Sequence, residues 1–254
     1  MNELEKYFKE NDGRLIHKWN HYFDVYDRHF SRFRNKEITI LEIGVSQGGS
    51  LQMWKDYFGP KAKIYGIDVN PLCKQLEEEN IKIFIGSQSD RKFLNSVKNS
   101  IPQVDILIDD GGHTMEQQIV TFEEMFDHVK DDGVYLAEDL HTSYWLRFGG
   151  GFQRDGTFIE YSKQFIDYLN AHHSEQKGLK VNNVTESVDS IHYYDSILIL
   201  EKKRRRAPYH EQTGTPSFEL IPDKNNILTR TKKGAIKAIN IGLRYFNLKS
   251  FIWK

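Results

Sequence analysis

Alternation of short apolar runs with segments of helical length predicts an α/β fold, a Rossmann-like doubly wound and mostly parallel sheet with an antiparallel edge strand and helices on both faces. Three observations carry that prediction. Five β-type runs recur along the 254-residue chain, a glycine-rich turn follows the first of them, and acidic clusters close the fourth and fifth.

The order of elements follows from the patterning. Residues 14–34 place aromatics at Trp19, Tyr22, Phe23, Tyr26 and Phe30, intervals of mostly three to four that predict an amphipathic helix. This stripe reads as core packing or as a lid over a ligand. The runs ITILEIG (38–44), AKIYGID (62–68), IKIFIG (81–86), VDILID (104–109) and GVYLAED (133–139) predict the strands. A helix is expected from Phe158 to Ala171, and 190–203 reads as a tight hairpin or as one long strand, interrupted at Asp195-Ser196. Residues 207–226, with Pro208, Gly214, Pro216, Pro222 and Asn225-Asn226, read as linker. Beyond Thr229, cations and apolar residues interleave at helical spacing. The expected organisation is a helical cap over 1–35, the main domain over 36–206, and a linker with a basic amphipathic tail over 207–254.

Composition bounds the function. Lys+Arg 35 against Asp+Glu 36 leaves the chain nearly neutral, so no nucleic-acid partner is expected. One cysteine, Cys73, excludes an intramolecular disulfide and fits a reducing compartment. No segment reaches the roughly 20 apolar residues needed to cross a bilayer, and the charged N-terminus does not read as a signal peptide. A cytoplasmic protein is expected. After Asp223 the sequence has cations but no acid, so peripheral contact with the inner membrane face or with a lipid-linked glycan is open, as is docking on its own domain or in a homo-oligomer.

The acidic clusters say most about chemistry. Asp109-Asp110-Gly111-Gly112-His113 follows the fourth run and Glu138-Asp139 the fifth, so neighbouring parallel strands would bring Asp110, Glu138 and Asp139 to one sheet edge. Such carboxylates repel unless neutralised, and a hard divalent cation with oxygen ligands suits them. His113 would lie beside that cation as a candidate base. Strand alternation turns Asp109 away from it, toward a structural or cofactor-proximal role. His141 is a further candidate base or substrate contact, and Tyr144 and Trp145 could stack on a sugar or fill the core. The glycine run Phe148–Phe152 suggests a loop that moves.

The turn Glu42-Ile43-Gly44-Val45-Ser46-Gln47-Gly48-Gly49-Ser50 lets backbone approach a ligand at a helix N-terminus. Asp68, at the end of the second strand, could take both hydroxyls of a ribose, and Gln88 and Asp90 after the third could read an adenine edge. The glycine spacing differs from G-x-G-x-x-G.

Glu42-x-Gly44-x-x-x-Gly48-Gly49 instead resembles motif I of the class I S-adenosylmethionine-dependent methyltransferases. With Asp110, His113, Glu138-Asp139 and Leu140 to Trp145, the chain from about residue 14 to 203 resembles the metal-dependent sugar O-methyltransferases of macrolide tailoring and of rhamnosyl groups, and also a hydroxylase-like group. The resemblance implies S-adenosylmethionine bound through Glu42, Gly44, Gln47, Gly48, Ser50, Asp68, Gln88, Asp90 and Asp109. It implies magnesium on Asp110, Glu138 and Asp139, His113 as general base with Asp110, and a sugar or glycan acceptor. Two other functions stay open, a metal-dependent hydroxylase-like enzyme and a catalytically inactive subunit that binds glycan or recruits a partner.

Overall fold

The computed structural model describes residues 1–219, 227–246 and 248–252. Pro222, Lys224, Asn225-Asn226, Trp253 and Lys254, which the sequence assigns to linker and tail, lie outside the described residues. The chain divides into two compact units, Met1–Pro208 and Tyr209–Lys254.

The first unit is built on a seven-stranded sheet of order β3-β2-β1-β4-β5-β7-β6. Its strands are β1 (Thr39–Ile43), β2 (Lys63–Asp68), β3 (Ile81–Ile85), β4 (Val104–Asp109), β5 (Val129–Ala137), β6 (Val188–Tyr194) and β7 (Ile197–Lys202). The first five pair in parallel; β7 pairs antiparallel with both β5 and β6. The 190–203 run is therefore a hairpin, and it turns at Ser196, whose φ of +66° closes a loop too short for anything wider.

Two buried clusters show why the sheet is wound on both sides. Ile40, Ile64, Ile83, Ile106 and Val134 pack with α1 (Glu3–Glu10), α2 (Tyr22–Phe30) and α3 (Gly49–Phe58). Leu41, Ile67, Leu107, Tyr135 and Leu198 pack with α4 (Arg91–Ser100), α5 (Met115–Met125) and α6 (Phe158–Leu169). Successive residues of β1 thus feed opposite cores, and a strand buried on both faces has no polar side to show.

The N-terminal segment departs from the predicted long helix. Only Tyr22–Phe30 is α-helical, followed by a 3-10 turn over Ser31–Phe33, and a separate helix α1 precedes it, capped by Asn2, whose side chain accepts from the Glu5 amide at 2.9 Å. Residues 14–19 instead run over the start of α3. A Cβ on Gly49 would lie 2.4 Å from the carbonyl oxygens of Arg14 and Leu15, so the strap and the helix touch backbone to backbone. A helical 14–21 could not make that contact. The aromatics of α2 are core: Tyr26 stacks on Phe30 and stands edge-on to the fully buried Trp54 at 5.2 Å.

Asn182 caps the short helix α7 (Asn183–Ser187), its side chain accepting from the Thr185 amide, and the helix leads into β6. The second unit contains α8 (Ile227–Tyr245). Truncating Trp54 to Ala should cost about 3–5 kcal/mol of stability, read as a lowered urea midpoint with an unchanged slope.

Candidate active site

Strand order reverses between β1 and β4, and the crevice beyond the carboxyl ends of these strands is where open α/β sheets bind ligands. A cavity of about 350 Å³ lies there. It runs from the β1–α3 turn and Asp68 to Asp110, His113, Glu138 and Asp139, roofed by Leu15 to Trp19 of the strap.

At its first end the backbone is shaped for close approach. Gly44 has φ of +99°, and a Cβ there would lie 1.9 Å from the Asp110 carbonyl oxygen, so only glycine lets the two loops meet. Asp68 accepts from the amides of Ser46 and Asn70, both at 2.8 Å, which fixes its carboxylate at the cavity edge. Gln47 and Ser50 line the wall, and the α3 N-terminus opens beside them.

Four of the expected cofactor contacts lie off that wall, each for a local reason. Glu42 points behind the turn, where it accepts from Ser50 Oγ at 2.8 Å. Gly48 is the left-handed residue that starts α3, and its Cβ position faces Leu76. Asp90 caps α4 through the amides of Lys92 and Phe93 at 2.9 and 3.2 Å. Asp109 is buried and accepts from Gln88 Nε2 at 2.9 Å. Gln88 does line the cavity, yet its amide is spent on Asp109, Thr121 and the Gly112 N–H, so it braces the β4 loop. Both Nε2 hydrogens are committed, which leaves only the second lone pair of Oε1 toward the cavity.

The second end gathers the carboxylates. His113 Nε2 lies 3.4 Å from Asp139 Oδ2 and 3.7 Å from Asp110 Oδ1. Ligand atoms of Asp110, His113 and Asp139 all lie within 4.8 Å of one another, a spacing that fits a small cation. The opposite oxygen of each carboxylate is held by the protein: Lys18 Nζ donates to Asp110 Oδ2, and Tyr22 OH donates to Asp139 Oδ1 at 2.7 Å. His113 and Asp139 both sit at positive φ, +54° and +55°, a cost that only a determined surrounding sustains. Burial lowers the His113 pKa below its ordinary value against the pull of Asp110 and Asp139, which keeps the imidazole neutral.

Lys18 is the residue that the sequence reading passed over. Its side chain is 3% exposed, and besides Asp110 it reaches both oxygens of Glu138 at 3.0 Å and Glu42 at 3.7 Å. Burial disfavours its charge, but Asp110, Glu138 and Glu42 outweigh burial and hold the ammonium protonated. Tyr26 OH completes Glu138 at 2.7 Å. Lys18, Tyr22 and Tyr26 recur every fourth residue, a spacing of donors that could have flagged them. His141 stands at the mouth, 4.0 Å from Asp139, with its Nδ1 on Ser196 Oγ at 2.5 Å and the rings of Trp19 and Trp145 edge-on to it. Tyr144 is exposed, and the glycine run is tied back through Gly151 N–H to the Ser143 carbonyl at 2.8 Å.

No family model matches the chain. Mycinamicin VI 2''-O-methyltransferase of Micromonospora griseorubida is 33% identical over 251 residues, covering 92% of this chain and 58% of that one. Demethylmacrocin O-methyltransferase of Streptomyces fradiae is 35% identical, covering 74% and 51%. The solved MycE methyltransferase of the mycinamycin pathway, in complex with Mg, SAH and mycinamycin VI, superposes with a TM-score of 0.70 at 29% identity, covering 91% of this chain and 58% of that one. The chain is a homologue of these sugar O-methyltransferases and has their class I methyltransferase fold. It spans about half the length of the curated relatives it matches, 50–58% for five of them.

Two outcomes follow for this domain. Lys18→Met strands buried Glu138 and Asp110 and should cost about 3–5 kcal/mol; adding Glu138→Gln to it should cost less than the two single losses together, since the pair is coupled. Urea denaturation of the four proteins measures both. Burial pushes the Asp109 carboxyl up to about 8. Between about pH 4 and 8 the folded state then holds a proton that the unfolded chain has released, so stability falls as pH rises, by up to about 1.4 kcal/mol per unit. Asp109→Asn should flatten that slope in urea titrations taken across the range.

Proposed function

We propose that this chain is an S-adenosylmethionine- and magnesium-dependent O-methyltransferase acting on a sugar hydroxyl of a glycoside, glycolipid or surface polysaccharide. The observation that carries the reading is a single cavity joining the glycine turn and Asp68 to the Asp110, His113 and Asp139 cluster. The relatives named above methylate sugars of glycosylated natural products, and the solved one carries Mg and SAH.

The residues suit that work. Gly44, Gln47, Ser50 and Asp68 form the end where a methyl donor fits, with the ribose hydroxyls at Asp68 and the strap above. Asp110 Oδ1 and Asp139 Oδ2, both turned toward His113, are the oxygens open to the cation, whereas Glu138, the third acid of the expected set, has both oxygens on Lys18 and one also on Tyr26. Bound there, magnesium would lower the pKa of a coordinated hydroxyl. His113, neutral through burial, is the group that takes the proton as the acceptor hydroxyl attacks the methyl carbon and the sulfonium leaves as a thioether. Its Nδ1 is buried without a partner, so the proton arrives at Nε2, the nitrogen that faces both carboxylates. The hydroxylase-like alternative needs a 2-His-1-carboxylate face. Here His113 stands with carboxylates, while His141 Nδ1 is taken by Ser196. An inactive binding subunit would have no use for strained His113 and Asp139.

The test is transfer of radiolabelled methyl from S-adenosylmethionine to a panel of rhamnosides, other deoxyhexosides and glycolipids, with and without chelator. Transfer is expected to stop in chelator and with Asp110→Ala, and His113→Asn should lower kcat about 10²–10⁴-fold. The base works deprotonated, so activity is lost as pH falls through its pKa, and the acid limb of kcat/KM should lie below about 6.5. Full turnover in excess chelator would remove the metal from this reading.

A further inference from the structure

Methyl transfer leaves the second unit without a task. In α8, Ile236, Ile239 and Leu243 recur at intervals of three and four, which sets them on one face, Phe246 continues that spacing just past its end, and Lys237 and Arg244, seven apart, form a stripe beside it. The chain then doubles back. Leu248 N–H donates to the Leu243 carbonyl at 2.9 Å, and Asn240 pairs with the Phe251 backbone in both directions, at 3.0 and 2.6 Å. That return adds Leu248, Phe251 and Ile252 beside the helix. The apolar face stays open nonetheless: Ile239 is 50% exposed, Phe246 71%, Leu248 58% and Ile252 81%.

Charge says what such a face would meet. From residue 224 to the C-terminus the sequence has eight cations and no acid. A second copy would bring cation against cation in a self-complementary contact, which is repulsive. The core of a protein interface is also depleted in lysine. An anionic bilayer matches both features at once, with apolar side chains entering the acyl boundary and Lys237, Arg244 and Lys249 at the headgroup level. Among the described residues no helix is long and apolar enough to cross a membrane, so the element would lie in the surface.

We propose that the C-terminal unit is an in-plane anchor for an anionic lipid surface, with the helix Ile227–Tyr245 and its returning segment as the contact. This goes beyond the methyltransferase reading and does not depend on it.

The experiment is co-sedimentation of the full chain with phosphatidylcholine vesicles, plain or one-third phosphatidylglycerol, alongside analytical ultracentrifugation without lipid. Binding is expected only with phosphatidylglycerol and should weaken as salt rises. Lys237→Ala and Arg244→Ala should each lower partitioning about fivefold, and about 25-fold together. Ile239→Glu with Phe246→Glu should abolish it while circular dichroism and S-adenosylmethionine binding are unchanged. Failure to bind phosphatidylglycerol, equal binding to plain phosphatidylcholine, or an oligomer that the Ile239→Glu, Phe246→Glu variant dissolves would each overturn the proposal. Vesicle binding by a chain that transfers no methyl would leave it standing and remove only the methyltransferase reading.

Discussion

Four carboxylates, Glu42, Asp110, Glu138 and Asp139, arrive at one end of the sheet because β1, β4 and β5 are neighbours and each ends there. Left to themselves, buried acids this close would bind protons and lose their value as ligands. Burial still holds Glu42 and Glu138 above the usual carboxylate range, and the Lys18 ammonium pulls both down against it while also bonding Asp110; the Tyr22 hydroxyl donates to the fourth acid, Asp139. A lysine meets this need better than an arginine would, because a compact charge can sit between acids from three strands, whereas a planar fork is matched to one. The strap that delivers Lys18 also roofs the cavity. Cofactor cover and carboxylate order are thus built from one segment, and loosening it would disturb both.

The sheet was legible because a doubly covered strand leaves a plain trace in sequence. Thr39–Ile43 is buried at every position, and its Ile40, Leu41 and Ile43 give the mostly apolar run that the alternation detects even with Glu42 inside it. The carboxylates were legible for a related reason: a strand end fixes where the next residue goes, so Asp110 and Asp139 are placed by backbone register alone. What failed was periodicity in residues 14–21. Their aromatic spacing continues that of α2, yet the segment is held extended by contact with Gly49, a residue far along the chain. A pattern of local intervals cannot report a contact made by someone else's missing side chain. Gln88 and Asp90 show a different limit. Their chemistry was read as available, while the structure already engages it, Gln88 with the Gly112 amide of the β4 loop and Asp90 as the N-cap of α4.

Geometry at the cluster also carries a division of labour within each carboxylate. Asp110 gives one oxygen to Lys18 and Asp139 gives one to Tyr22, and the remaining pair faces His113. An acid tied at one oxygen cannot rotate, so the free oxygen is aimed before any ligand arrives. This is preorganisation supplied by neighbours. The left-handed conformations of His113 and Asp139 belong to the same scheme, since they turn the two side chains toward each other across adjacent loops.

A surface anchor would change what specificity asks of this cavity. A free glycoside must be found and oriented from solution, and binding energy has to cover its lost translation. An acceptor presented at a bilayer is already confined beside an anchored enzyme, so the effective concentration is set by geometry and the pocket can be modest. Trp19 of the cavity lining and Trp145, both exposed, stand edge-on to His141 where such an acceptor would arrive. The acidic excess of residues 1–223, which balances the basic tail, would repel an anionic surface.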